Sequence, residues 1–266
     1  MPNIEETVHI IPLGHEIDRA IKPFEKIKAD RVYLLTNWDN SQPEDEMSKK
    51  QRYYYEKVRE KLIENGIDVQ PIVKVDLFNL LDVMKNVSKI IVKEKNLNNR
   101  IFVNMSAAGR LTSVAATLAG MAHDANVYYV HSEDYPSKDS LRRKHGLSIC
   151  QKGKTDKLIN FQIVMPDTVG LKILLFLCNM NKRQKMKDIL DFLKTENVKG
   201  FEELFDEVEE SRMRTLQSNQ LMKLDKTILS KLEKHGYVSR KKEGTRVYIS
   251  ITESGRYIAH ISGLLD

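Results

Sequence analysis

The first 131 residues switch repeatedly between short β-branched apolar runs and longer segments of helical period, and few architectures accept that alternation. It specifies a parallel sheet whose strands are joined by crossover helices. Thr7 to Pro12 reads as a buried strand ended by Pro12 and Gly14, and Ile17 to Ile27 as the helix after it. Arg31 to Thr36 is the second strand, followed by a polar turn through Asn37, Trp38, Asp39 and Asn40. Glu44 to Asn65 is a long charged helix carrying Tyr53, Tyr54 and Tyr55, and Gly66 stops it as a C-terminal cap. Ile67 to Val73 reads as the third strand, and Asp76 to Asn96 as a helix with Leu77, Leu80, Leu81, Met84 and Val87 on one face. Ile101 to Met105 is the fourth strand, leading into an Ala-rich helix that ends near His123, and Asn126 to His131 is the fifth.

Ligands of such sheets bind outside the carboxyl ends of the strands, where loops and helix N-termini converge. The loops that matter are therefore Pro12 to Glu16, Thr36 to Asn40, Asp76 to Asn79, Met105 to Thr112 and His131 to Tyr135. The sharpest is Asn104-Met105-Ser106-Ala107-Ala108-Gly109-Arg110. Its small side chains admit a phosphate or ribose close to a helix N-terminus, where Arg110 offers a bidentate contact. Ala107, Ala108 and Gly109 equally suit tight helix-sheet packing. No G-x-G-x-x-G follows the first strand and no G-x-x-x-x-G-K-[ST] occurs, which disfavours a dinucleotide cofactor or a P-loop nucleotide.

At 266 residues the chain exceeds the ~100–150 of a common single domain. Pro166 marks the expected boundary, giving domains 1–165 and 166–266. Before it, His145 to Cys150 and Leu158 to Val164 are β-like runs separated by Gln151-Lys152-Gly153-Lys154, read as a hairpin closing the first domain. After it come apolar helices at Thr168 to Asn179 and Met186 to Lys194, then an acidic amphipathic segment from Val198 to Glu210. A helix starts at Asp225, buries Ile228, Leu229 and Leu232, and stops at Gly236. Strands at Tyr237 to Arg240 and Arg246 to Ile251 flank the basic turn Lys241-Lys242-Glu243-Gly244-Thr245, and Thr252 opens a final helix. A helix followed by a short basic hairpin is the order of a winged helix. The expected fold is thus α/β: a Rossmann-like, mainly parallel sheet with helices on both faces, then a C-terminal winged helix-turn-helix domain.

The runs Leu232 to Val238 and Ile251 to Gly255 resemble winged regulators of the MarR type, with their Leu-Glu-Lys-x-Gly-Tyr-Val and Ile-Thr-x-x-Gly patterns. The resemblance implies that Lys226, Thr227, Ser230 and Lys231 enter a major groove while Arg240, Lys241, Lys242 and Arg246 hold phosphates of double-stranded DNA. The two halves together resemble the CARF family, CRISPR-associated Rossmann-fold regulators common in archaea. Many members carry a Ser/Thr-Gly-Gly loop followed by Lys or Arg; this chain has Ser106 to Arg110. The resemblance implies a homodimer binding a nucleotide such as cyclic tetra-adenylate, and nominates Gly14, His15, Ser106, Ala107, Ala108, Gly109 and Arg110. Thr36, Asn37 and Trp38 would add hydroxyl, amide and stacking contacts, unless Trp38 instead anchors the dimer.

Charge sharpens the second half: Lys223 to Arg256 holds nine Lys and Arg against four Asp and Glu, suiting an anionic polymer. The two cysteines, Cys150 and Cys178, and seven dispersed histidines form no metal-ligand spacing, so neither metal nor cofactor is expected. The longest apolar stretch, Val169 to Cys178, is broken by Lys172, and Met1 to His9 does not read as a secretory signal, so a cytoplasmic protein without membrane contact is expected. Two other functions compete with a ligand-responsive regulator. One is a metal-independent ring nuclease cleaving cyclic oligoadenylate with Ser106, Arg110, His15 and His131; the other is an assembly module that binds a metabolite.

Overall fold

The computed structural model describes residues 5–38, 45–161, 163–202, 210–244 and 246–265. Asp39 and Asn40 of the turn after the second strand, Thr245 of the basic turn and most of the acidic segment Val198 to Glu210 lie outside them. The chain divides into two units, residues 1–163 and 164–266.

In the first unit β1 (Thr7–Pro12), β2 (Arg31–Thr36), β3 (Asp68–Val69), β4 (Val73–Lys74), β5 (Arg100–Asn104) and β6 (Asn126–Val130) run parallel, and β7 (Thr155–Lys157) closes one edge antiparallel to β6. The order is β3-β2-β1-β5-β6-β7, with β4 also on β2. Strand order therefore reverses between β1 and β5, which opens a crevice at their carboxyl ends. Alternate residues divide the two faces, as the pleat requires. Ile11, Val32 and Leu34 pack with Tyr54, Tyr55, Val58 and Leu62 of α2 (Glu46–Glu64) and with Ala20 of α1 (Asp18–Ile21). On the other face Tyr33 donates to Glu94 of α3 (Leu80–Lys95), and α4 (Arg110–Ala122) packs beside α3. Helices thus cover both faces of a mainly parallel sheet.

Three expected elements differ. The helix over Ile17 to Ile27 is cut to α1 and a 3-10 turn at Lys22–Glu25, because Pro23 lacks the N–H that a continuing helix needs. The third strand is split around Pro71, which cannot donate to a ladder. The hairpin of His145 to Cys150 with Leu158 to Val164 does not form. A short helix, α5 (Asp139–His145), ends at Gly146, which bridges to Glu16, while Ile149 bridges to Asp134.

The second unit places α6 (Thr168–Met180), β8 (Gln184–Lys185), α7 (Met186–Thr195) and α8 (Glu210–Lys223) before a π-helical turn at Leu224–Leu229 and α9 (Ser230–Lys234). The strands β9 (Val238–Glu243) and β10 (Arg246–Ile251) and the helix α10 (Glu253–Ile261) follow. The sheet order β8-β10-β9 is antiparallel throughout. Its core joins Ile173, Leu174 and Leu177 of α6 to Ile189 and Leu193 of α7, Leu229, Leu232 and Ile249. The expected helix start at Asp225 is replaced by continuous helix: the Ser230 N–H and hydroxyl both donate to the Asp225 carbonyl, five residues back, which closes the π-turn.

No helix among the described residues is long and apolar enough to cross a membrane.

Candidate functional site

At the β1/β5 switch point lies a cleft of about 610 Å3. It gathers Gly14 and His15 from the loop after β1, Asn37 after β2, and Ala108, Gly109 and Arg110 after β5. Two loops fix its floor: the Gly14 N–H donates to the Ala107 carbonyl at 2.8 Å, and Gln51 of α2 donates to the Leu13 carbonyl at 3.0 Å. A Cβ on Gly14 would stand 3.4 Å from the Ala108 Cα, which is ordinary contact, so the two loops lie side by side with little room between them. Gly109 is the N-cap of α4 and supplies no side-chain cap, leaving the first-turn amides of a 13-residue helix to the cleft. Arg110 stands exposed at the first position of that helix.

Three nominated residues lie beneath the cleft. Ser106, 2% exposed, donates to the Asn104 side chain at 2.7 Å and accepts from the Val130 N–H at 3.0 Å. Ala107 is wholly buried in the core. The buried Thr36 hydroxyl donates to the Trp38 carbonyl at 2.6 Å, bending the chain after β2. These three shape the loops and do not line the cleft, as the Rossmann geometry sends the first residues past a strand end back into the core. Asn37 does line it, but its side-chain oxygen already accepts from the Leu77 N–H at 2.5 Å. Trp38 is buried against Tyr55, with its centroid 5.8 Å from that ring, and so is not the exposed dimer anchor considered above.

His15 stacks on Tyr54 at 4.9 Å, and burial followed by the nearby Lys50 charge holds its imidazole below the ordinary value. His131 is elsewhere: its Nε2 lies 2.7 Å from Asp156 on the neighbouring strand β7. Of the groups a cleavage reaction was expected to use, His15 and Arg110 reach the cleft; Ser106 and His131 do not. Sequence reading missed the apolar rim, where Phe78 is 76% exposed and Met47 and Leu111 are also open. Glu16 was also missed. It is 6% exposed, accepts from Ser148 through Oε1, leaves Oε2 without a partner, and is pushed up to about 6 by burial.

In the second unit Lys226, Thr227 and Lys231 are exposed and Ser230 is half-buried. Lys231 also borders a hollow of about 150 Å3 with Pro166 and Asp167. On the wing, Lys241, Lys242 and Arg246 are exposed. Arg240 is not available as the phosphate grip expected of it, because its guanidinium donates to Asp225 at 2.5 Å and to Glu233 at 2.8 Å. These pairs hold the Glu233 carboxyl below its usual range. Lys241 shares Glu243 with Arg183, whose guanidinium sits 4.4 Å from the Tyr248 ring.

Residues 7–135 match the family described as HFX_2341_N-like, N-terminal, and residues 169–263 match the DUF6293 C-terminal winged helix domain. No curated protein matches the chain. Similar solved structures include protein VC1899 from Vibrio cholerae, 13% identical with a TM-score of 0.40, over 96% of this chain and 64% of that one. Enterococcus italicus Csm6 bound to cyclic hexa-2'-fluoro-hexa-dAMP is 14% identical with a TM-score of 0.42, over 83% and 54%. Can2 from Sulfobacillus thermosulfidooxidans in complex with cyclic tetra-adenylate is 12% identical with a TM-score of 0.38, over 95% and 63%. This chain therefore spans 54 to 64% of the length of those three. The α/β domain and the winged helix occur in the order that the sequence resemblance implies: the chain carries an HFX_2341_N-like N-terminal domain followed by a DUF6293-type C-terminal winged helix domain.

Proposed function

We propose that the protein is a ligand-responsive DNA-binding regulator whose residues 1–165 sense a nucleotide and whose residues 166–266 bind double-stranded DNA. One observation carries the sensory half: Gly14, His15, Ala108, Gly109 and Arg110 converge on one cleft at the strand-order reversal, beneath the open amides of α4. Amides, a guanidinium and small side chains suit a phosphate, while Phe78, Met47 and Leu111 offer apolar surface to a base. The CARF-type resemblance makes cyclic oligoadenylate the first ligand to try, bound across the two-fold of a homodimer. The reader half rests on exposed Lys226, Thr227 and Lys231 along the helix and Lys242 and Arg246 on the wing.

Ligand would act by binding two dimer arrangements unequally, since equal affinity shifts nothing. The test is a mobility-shift assay of the full chain on its own promoter DNA, with and without cyclic tetra-adenylate. The expected result is sequence-selective binding whose affinity changes with ligand. Absence of selective binding at moderate salt in both conditions rejects the regulator.

A further inference from the structure

Beside the cleft lies a second concavity of about 510 Å3, a trough between α2 and α5. Lys49 and Lys50 of α2 and Arg142 and Arg143 of α5 line it, with Tyr53 and Tyr54 as aromatic wall. One acidic side chain among the described residues joins them, Asp139, which is 91% exposed and 3.6 Å from Arg142. Four cations around one hollow repel one another, and a short basic helix would ordinarily relax that repulsion by moving out into solvent.

Helix α5 is held in place by polar ties. None of its seven residues is buried, so apolar packing does not account for its position. His145 Nδ1 lies 2.9 Å from buried Asp18, the Ile17 N–H donates to the His145 carbonyl at 3.3 Å, and the Leu147 N–H donates to the His15 carbonyl at 3.0 Å. The Tyr53 hydroxyl adds a bond to the Arg143 carbonyl at 3.0 Å. Gly146 makes this docking possible: its φ is +86°, and a Cβ there would come 2.5 Å from the Ile17 nitrogen. A cationic helix is thus clamped beside a lysine pair by devices that bury almost nothing of its own.

The trough also adjoins the cleft. Along α2, Ser48 and Gln51 border the cleft while Lys49 and Lys50 border the trough, and cleft His15 stacks on trough Tyr54. We propose that the trough binds phosphate groups of a short single-stranded oligonucleotide that continues from the cleft across His15, so the ligand carries at least two phosphates. Guanidinium forks match phosphate oxygens, and tyrosine rings accept a stacked base without regard to its identity. The oligonucleotide rests on the nucleotide reading of the cleft; the anion site itself does not.

Two probes on the full chain separate these claims. Inorganic pyrophosphate, titrated by calorimetry, tests the trough as an anion site, without the base or sugar of a nucleotide. Combined Lys50→Ala, Arg142→Ala and Arg143→Ala should weaken it about tenfold or more, whereas Lys187→Ala, an exposed cation that lines neither the trough nor the cleft, should leave it unchanged. Arg142→Lys with Arg143→Lys should retain most of the binding, which separates lost charge from lost fold. Undiminished binding in the triple variant, or equal loss in Lys187→Ala, overturns the trough. The second probe is a fluorescein-labelled linear tetra-adenylate. Its log affinity against log salt should become shallower by about 0.7 for each phosphate contact removed in the triple variant. An unchanged slope overturns the oligonucleotide. A chain that binds pyrophosphate through these residues but not the linear tetranucleotide overturns the oligonucleotide and leaves the anion site standing, while loss of cyclic tetra-adenylate binding is what overturns the nucleotide reading of the cleft.

Discussion

The Thr252 hydroxyl donates to the Gly236 carbonyl at 2.5 Å, fastening the start of α10 to the turn that ends α9. The Thr252 N–H adds a bond to the Tyr237 carbonyl at 3.0 Å, and Thr252 caps α10 by accepting from the Gly255 N–H. The two short sequence patterns that point to a winged helix are therefore one joint seen from its two sides. Gly255 is required at that joint, because a Cβ there would lie 2.1 Å from the Tyr237 carbonyl oxygen. Gly255→Ala should destabilise the winged unit by about 1–3 kcal/mol, read as a lower midpoint in urea unfolding of the full chain.

Arg240 and its neighbours should separate into two classes. Arg240→Ala removes the guanidinium between Asp225 and Glu233 and should cost about 1 kcal/mol of stability in addition to any effect on DNA. Lys242→Ala and Arg246→Ala should leave thermal melting unchanged, while each makes the salt dependence of DNA binding shallower by about 0.9. Melting curves together with mobility shifts at several salt concentrations distinguish the classes; a melting loss in the two wing variants contradicts the assignment.

Within the cleft loop, neighbouring residues should respond in opposite ways. Arg110→Ala should weaken cyclic tetra-adenylate binding about tenfold without changing stability, since its side chain is exposed. Ser106→Ala removes two buried hydrogen bonds and strands the Val130 N–H, which should cost about 1–3 kcal/mol of stability. Calorimetric titration and urea unfolding of both variants check the pair.

Two buried groups in the first unit set opposing pH dependences. Burial pushes the His9 imidazole down to about 4 from an ordinary 6.5, where it bonds Tyr128 and the Lys28 carbonyl. The unfolded chain then binds the extra proton first, so stability present above pH 6.5 is lost as pH falls toward 4, by about 3 kcal/mol. Glu16 works the other way. Its carboxyl, pushed up to about 6 from 4.5, holds its proton longer when folded, so its contribution is complete below pH 4.5 and is lost as pH rises through 6, by about 2 kcal/mol. Glu16→Gln should therefore steepen the acid loss of stability between pH 6.5 and 4. Parallel stability curves for wild type and variant would refute this balance.

Periodicity revealed what local physics determines. Thr7 to Pro12, Arg31 to Thr36 and Arg246 to Ile251 were legible to the residue because strand alternation and flanking breakers agree there. Helix α5 was not legible, since one leucine among six polar residues carries no periodic signal and their docking depends on Asp18 and on Glu16, more than a hundred residues earlier. Leu158 to Val164 alternates like a strand yet has Ile159, Phe161 and Val164 exposed, so alternation alone did not give it a hairpin partner. The cleft was legible by its loops, because topology fixes where strand ends meet. Which side chains face it was not, as burial of Ser106 and Thr36 follows from packing among distant segments.

The π-turn at Leu224–Leu229 spends one residue more than an α-turn, and each α-helical residue turns the axis by about 100°. The shaft made by α8 and α9 is consequently two lengths of thread joined out of phase. Its upstream side is aimed by a count of residues through the turn, independent of their chemistry. Excising exposed Thr227 would merge the phases and turn α8 about its axis by more than a quarter revolution, so a change of one codon's length redirects an entire helix face, carrying the Lys223 ammonium away from the Phe201 ring 4.9 Å from it.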